Sequence, residues 1–163
     1  MKKILFLITT LGGGDAEKVL STIVKNLDKT KYDITVMTVT DTGVYIDEVK
    51  KYVKYKGCFK DRKPGRDLIS KVKNYIYLNI VKEFLIKHPK IFYRIFIREK
   101  YDVEIAFLEN VCSKIISNSS NIKSKKYLWI HIDLEKSNWV KNQFKGFDEQ
   151  KYIYMESLIK FFV

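Results

Sequence analysis

Cysteine, proline, glycine and histidine are all scarce in this chain: two, two, seven and two among 163 residues. Cys58 and Cys112 lie far apart and outside any C-x-x-C spacing, which removes a disulfide scaffold and a zinc module from consideration. Reduced thiols of a cytoplasmic protein are the simple reading. No Gly/Ser/Pro-rich stretch divides the chain and no internal repeat marks a solenoid. Also missing is any run of about 18 apolar residues, the length a membrane-spanning helix needs. The opening MKKILFLITTLGG imitates a signal peptide, but its apolar centre, Ile4 to Ile8, is five residues long and no small-residue cleavage pattern follows. It reads as a strand, and the chain as soluble or peripheral.

Acidic residues are few in one third of the sequence. Residues 50–100 hold 16 Lys/Arg against 4 Asp/Glu, a balance of +12, while the remainder has 15 against 15. The entire net charge of +12 therefore sits in one segment, which predicts a localised basic face and an anionic partner. The apolar content, 46%, suffices for the core of one domain spanning 1–163.

The apolar residues are arranged in alternating periods. Lys3 to Thr9 is a continuous run of strand length, as in a parallel sheet covered on both faces. Ala16, Val19, Leu20, Ile23, Val24 and Leu27 then fall on one helical stripe, with Asp15 as the expected N-cap and Glu17 in the first turn. Tyr32 to Thr40 is β-branched and apolar. Strand, helix and strand within about 40 residues make a βαβ unit. Further strands are expected at Tyr52–Lys56, Asp102–Leu108 and Tyr127–Ile132, with a sixth closing at Val163. Helices are expected over Arg66–Lys87, after Pro89, over Val111–Ser117 and from Phe147 to about Met155. The fold class is α/β: a Rossmann-like, doubly wound, mainly parallel sheet with helices on both faces.

Three of the seven glycines, Gly12, Gly13 and Gly14, are consecutive at the first strand-to-helix junction. A glycine loop before a helix N-terminus lets a phosphate or sugar approach unpaired backbone N–H groups without meeting a Cβ. The alternative is a tight turn that needs positive φ and binds nothing. The two common phosphate signatures do not fit: there is no G-x-x-x-x-G-K-[ST], and G-x-G-x-x-G fails because position 17 is Glu17. A P-loop NTPase and an NAD enzyme are set aside.

The phrase LITTLGGGDAEKVLSTIVKNLDKTKYDITVMTV, followed by TDTGVYIDEV, YDVEIAFLENVCSKIIS and KKYLWIHIDL, resembles the N-terminal domain of the retaining GT-B glycosyltransferases of family 4. These are the group 1 transferases of capsule, lipopolysaccharide and glycolipid assembly, and the anchors span nearly the whole chain. The resemblance implies one of two Rossmann-like domains that face each other across a cleft, with no cofactor and no metal. The N-terminal domain mainly binds the acceptor, a glycan or lipid-linked sugar, and its glycine loop approaches the diphosphate and sugar of a nucleotide-sugar donor. On that resemblance Gly12, Gly13 and Gly14 form the donor loop. His131 of WIHID becomes the catalytic strand-end histidine facing the transferred sugar, and Glu109 and Asp133 become acceptor-binding residues. Other readings stay open: His131 as a histidine satisfied in a packed core, Glu109 as a first-turn acid of the next helix, Asp133 as a loop cap. Asp15 stands where the family carries a small residue, and Asn110 where it often has glycine. The family's C-terminal donor-binding domain carries a Glu-x7-Glu motif, and no two of the nine glutamates here are eight apart. The expectation is a half transferase: inactive alone, completed by a separate polypeptide carrying the donor domain, or else a truncated, non-catalytic chain that binds membrane or another protein.

In the basic segment Leu68, Ile69, Val72, Ile76 and Ile80 form a helical stripe, expected first to face the core. The accompanying lysines and aromatic residues suit an anionic bilayer, which predicts a peripheral protein on the inner face of the cytoplasmic membrane. His88 reads as surface. No RNP-like strand, zinc finger or helix-turn-helix signature is present, so nucleic acid is not an expected partner.

Overall fold

Seven residues, Lys2–Ile8, form β1, and their alternation divides the interior: Leu5 and Leu7 pack in one core cluster, Ile4, Phe6 and Ile8 in the other. A strand apolar on both sides needs cover on both sides, and the computed structural model, which describes residues 1–60, 67–109 and 111–131, provides it. β2 (Tyr32–Asp41) and β3 (Lys54–Lys60) lie to one side of β1, and β4 (Val103–Ala106) and β5 (Lys125–Leu128) to the other. The order is β3-β2-β1-β4-β5 and every pairing is parallel.

The winding explains the two layers. From β1 the chain crosses through α1 (Asp15–Asn26) to β2, and α2 (Ile46–Lys50) precedes β3. Leu20, Val24 and Val49 of these helices bury against Ile4, Phe6, Ile34 and Val36. The return from β3 to β4 uses α3 (Leu68–Tyr75), a π-helical segment (Ile76–Lys82), α4 (Glu83–Lys87) and α5 (Pro89–Phe96). α6 (Val111–Ser117) then connects β4 to β5. Leu85, Phe92, Ile115 and Ile116 of this second set bury against Leu5, Leu7, Met37 and Val39. Because right-handed crossovers reverse direction at β1, the helices change face there. The fold is the α/β, Rossmann-like, doubly wound sheet expected.

Several local expectations are corrected. Gly14, in extended conformation, is the N-cap of α1; Asp15 is the first helical residue and its side chain caps nothing. Val19 is exposed, so the buried stripe of α1 is narrower than six residues and centres on Leu20 and Val24. β3 starts later than Tyr52 and runs to Lys60; β5 starts at Lys125, two residues before Tyr127, and ends before Trp129. The stripe on α3 does not face the core: Leu68 is 76% exposed, Ile69 67% and Val72 50%. Tyr77, Leu85, Ile86, Phe92 and Phe96 supply the cover instead, through an aromatic cluster in which Phe59 meets Tyr77, Phe92 and Phe96 at ring separations of 5.9, 6.0 and 5.1 Å. The expected sixth strand and the helix from Phe147 lie outside the described residues.

Candidate functional site

Ligands of open α/β sheets bind beyond the carboxyl ends of the strands, where the winding reverses. That point here is the junction of β1 and β4. The glycine loop leaves β1, Glu109 follows β4, and His131 follows β5. One further contact spans the reversal: Thr9 Oγ1 lies 3.6 Å from Cys112 Sγ at the start of α6.

The loop is held at its root and open at its tip. Leu11 N–H donates to the Thr42 carbonyl (3.0 Å), Tyr45 N–H to the Leu11 carbonyl (3.1 Å), and Thr40 N–H to the Thr9 carbonyl (2.9 Å). Gly43 makes this close approach possible. Its φ of 140° is in the region glycine favours, and a Cβ there would overlap the Leu11 carbonyl and the Gly12 nitrogen. Gly12, Gly13 and Gly14 have no positive φ, so the tight-turn explanation does not apply to them. A Cβ on Gly13 would meet nothing within 4 Å. One on Gly14 would strike the Glu17 carboxylate, the movable end of a side chain folded back over the loop.

Glu109 is 3% exposed. Its backbone carbonyl accepts from Ser113 Oγ (2.8 Å), and its carboxylate Oε1 accepts from the backbone N–H of His131. The side chain therefore ties the exit of β5 to the exit of β4, a role neither sequence reading had assigned. His131 Nε2 is 3.1 Å from the Phe107 carbonyl. A carbonyl only accepts, so Nε2 is the donor of this bond. The imidazole also meets the Phe107 ring edge-on at 5.0 Å. His131 is thus half-buried and positioned by these contacts.

Glu109 and His131 are brought into contact; the glycine loop leaves β1, which is separated from β5 by β4 in the sheet. Asp133 lies outside the described residues. His88 is exposed beside Phe84, with ring centroids 4.3 Å apart.

Two residues of this edge escaped the sequence reading. Trp129 is 37% exposed and packs on Phe107 at 4.8 Å, nearly parallel to the His131 ring at 6.2 Å. Its position two before His131 puts both on one side of the strand path, a signal the motif WIHID contained. Asp41, at the end of β2, accepts from Tyr55 Oη (2.7 Å), which also bonds Thr38 Oγ1 (2.8 Å). Gly57 leaves room for it, since a Cβ there would strike Asp41. Burial raises the Tyr55 pKa, so its hydroxyl stays a donor to that carboxylate.

Cys112 is fully buried and its thiol is pushed up to about 12, chiefly by burial; Cys58 is pushed up to about 12 for the same reason. Neither is a nucleophile near neutral pH. Among the described residues no group of three His, Cys, Asp or Glu could hold a metal ion, and no helix is long and apolar enough to cross a membrane. No protein family and no curated protein sequence matches the chain.

Proposed function

We propose that the chain is the acceptor-side domain of a glycosyltransferase, acting with a nucleotide-sugar-binding domain to pass a sugar to a glycolipid or polysaccharide acceptor. The observation that carries this reading is Gly13. It has ordinary φ, open space where a side chain would be, and a place at the carboxyl end of β1 beside the winding reversal. Nothing in the packing of the described residues calls for glycine there, whereas a donor sugar or diphosphate approaching the backbone does. The resemblance of the sequence anchors to family 4 transferases supplies the reaction class. His131 serves as the residue that meets the reacting sugar, and Glu109 positions it. Catalysis of this kind works by aligning donor and acceptor and stabilising charge on the leaving diphosphate. This domain supplies one wall.

The exposed apolar stripe of α3 and of the first residue of the π-helical segment supports the membrane part of the reading. Leu68, Ile69, Val72 and Ile76 stand among Lys71, Lys73 and Lys82, a combination that suits the interface of an anionic bilayer. The test is incubation of the purified chain with a nucleotide-sugar panel and lipid-linked acceptors, alone and with a polypeptide carrying a Glu-x7-Glu donor domain. Transfer only in the pair is expected, and its loss in His131→Ala. Turnover by the chain alone contradicts the proposed division of labour.

A further inference from the structure

A second recess lies at the opposite end of the sheet from the glycine loop. It occupies about 390 Å³ between the amino-terminal halves of β2 and β3 and the segment joining α5 to β4, and Thr35, Lys54, Lys56, Arg98, Glu99 and Tyr101 line it. A water in the liquid occupies about 30 Å³, so the cleft has room for roughly a dozen, or for a phosphate with a small carbon body. Met37 and Phe96 give it an apolar side.

Three cations converge there from two segments, Lys54 and Lys56 of β3 and Arg98 of the connection from α5 to β4, and each head group is held. Lys56 Nζ donates to the Phe96 carbonyl (2.6 Å) and Arg98 Nε to the Ile95 carbonyl (3.1 Å), both at the carboxyl end of α5. Lys54 Nζ is 2.8 Å from Asp33. A helix end of that polarity carries about half a negative charge, so two full positive charges leave an excess of roughly one and a half. The end-capping bonds use one donor of each: Lys56 retains two N–H groups and Arg98 four. Asp33 is engaged by Lys54, and the other carboxylate, Glu99, lies 4.0 Å from Lys3. Fixed, partly satisfied cations around a cleft are preorganised for an anion, and a guanidinium fork matches phosphate oxygens in pairs.

We infer that this cleft is a binding site for a phosphate monoester or diester group, with Arg98 and Lys56 as the main contacts, Lys54 as support and Glu99 as the residue that limits affinity. The phosphate belongs to a small soluble ester or to a phospholipid headgroup. The site is independent of the transferase reading, because its residues lie at the other ends of the strands.

The test uses the full chain at fixed low salt. Inorganic phosphate and glycerol 3-phosphate are titrated while backbone amide shifts are followed, and co-sedimentation is measured with phosphatidylglycerol-containing and with pure phosphatidylcholine vesicles. At least one phosphate probe is expected to bind saturably, with Arg98→Ala weakening it about tenfold or more. Glu99→Gln should tighten it severalfold. Arg98 and Glu99 are exposed, so neither substitution threatens the fold, and melting temperature verifies this. Saturation by glycerol 3-phosphate assigns a soluble ester; Arg98-dependent binding to phosphatidylglycerol vesicles alone assigns a headgroup. The inference is overturned if no phosphate probe binds, if binding is indifferent to Arg98→Ala and Glu99→Gln, or if phosphatidylcholine vesicles bind equally well.

Discussion

Two glycines in neighbouring loops, one after β1 and one after β2, are glycines for different reasons. Gly43 is required by its own chain: positive φ and overlap with Leu11 make any side chain costly. Gly43→Ala should lose about 2–4 kcal/mol, read as a lower denaturation midpoint. Gly13→Ala should leave that midpoint nearly unchanged, because the new methyl group meets nothing, yet impair any ligand that approaches the loop. The contrast separates a turn requirement from a ligand requirement, which the triplet GGG in the sequence could not do, since φ is not written in residue type. Glu104 presents another residue-level case. It is fully buried on β4; its Oε1 accepts from Tyr93 Oη (2.7 Å) and Asn121 Nδ2 (3.2 Å), while Oε2 has no partner among the described residues. Tyr93→Phe removes one of the two donors to a carboxylate that is already short of them. A loss of about 1–3 kcal/mol in chemical denaturation is expected.

At the scale of elements, the periodic signals were legible wherever a core decided them. β1, α1 and β2 follow the sequence pattern within a residue or two because both sheet faces demand apolar side chains at fixed spacing. The stripe on α3 has the same helical period, but periodicity states only that one face differs from the other, not what covers it. Here Phe59 and its aromatic neighbours fill the sheet face first, and the stripe is left outward. Replacing Leu68, Ile69 and Val72 together by Gln should therefore change stability by no more than about 0.5 kcal/mol per site. The same variant should lose binding to anionic vesicles. A cooperative loss of fold would instead mean that the stripe packs in solution. The site was legible in part. The glycine loop and His131 announced themselves by composition and by place at strand ends, while the buried Glu109 to His131 bond and the Trp129 platform depend on how two strand exits meet.

At the scale of the whole molecule, the buried thiols make stability fall in alkali. Cys58 and Cys112 have folded pKa values of about 12 against 9.0 for the free group. Between these values the unfolded chain has released protons that the folded chain retains, so rising pH favours unfolding. The slope is up to about 1.4 kcal/mol per pH unit for each thiol, beginning near pH 9. A Cys58→Ala, Cys112→Ala double variant should show a flatter decline of melting temperature over that range.

The doubly wound sheet gathers the glycine loop, Glu109 and His131 along one edge by topology alone, and the account rests on that edge being where a sugar donor and acceptor meet. Amide-shift mapping of the 163-residue chain during titration with nucleotide-sugars and glycan acceptors tests this most directly. Perturbations concentrated at residues 12–17, 109 and 129–131, and lost in Gly13→Ala at unchanged melting temperature, are the predicted result. Saturable binding whose perturbations bypass that edge, or no binding by any member of either panel, would contradict it.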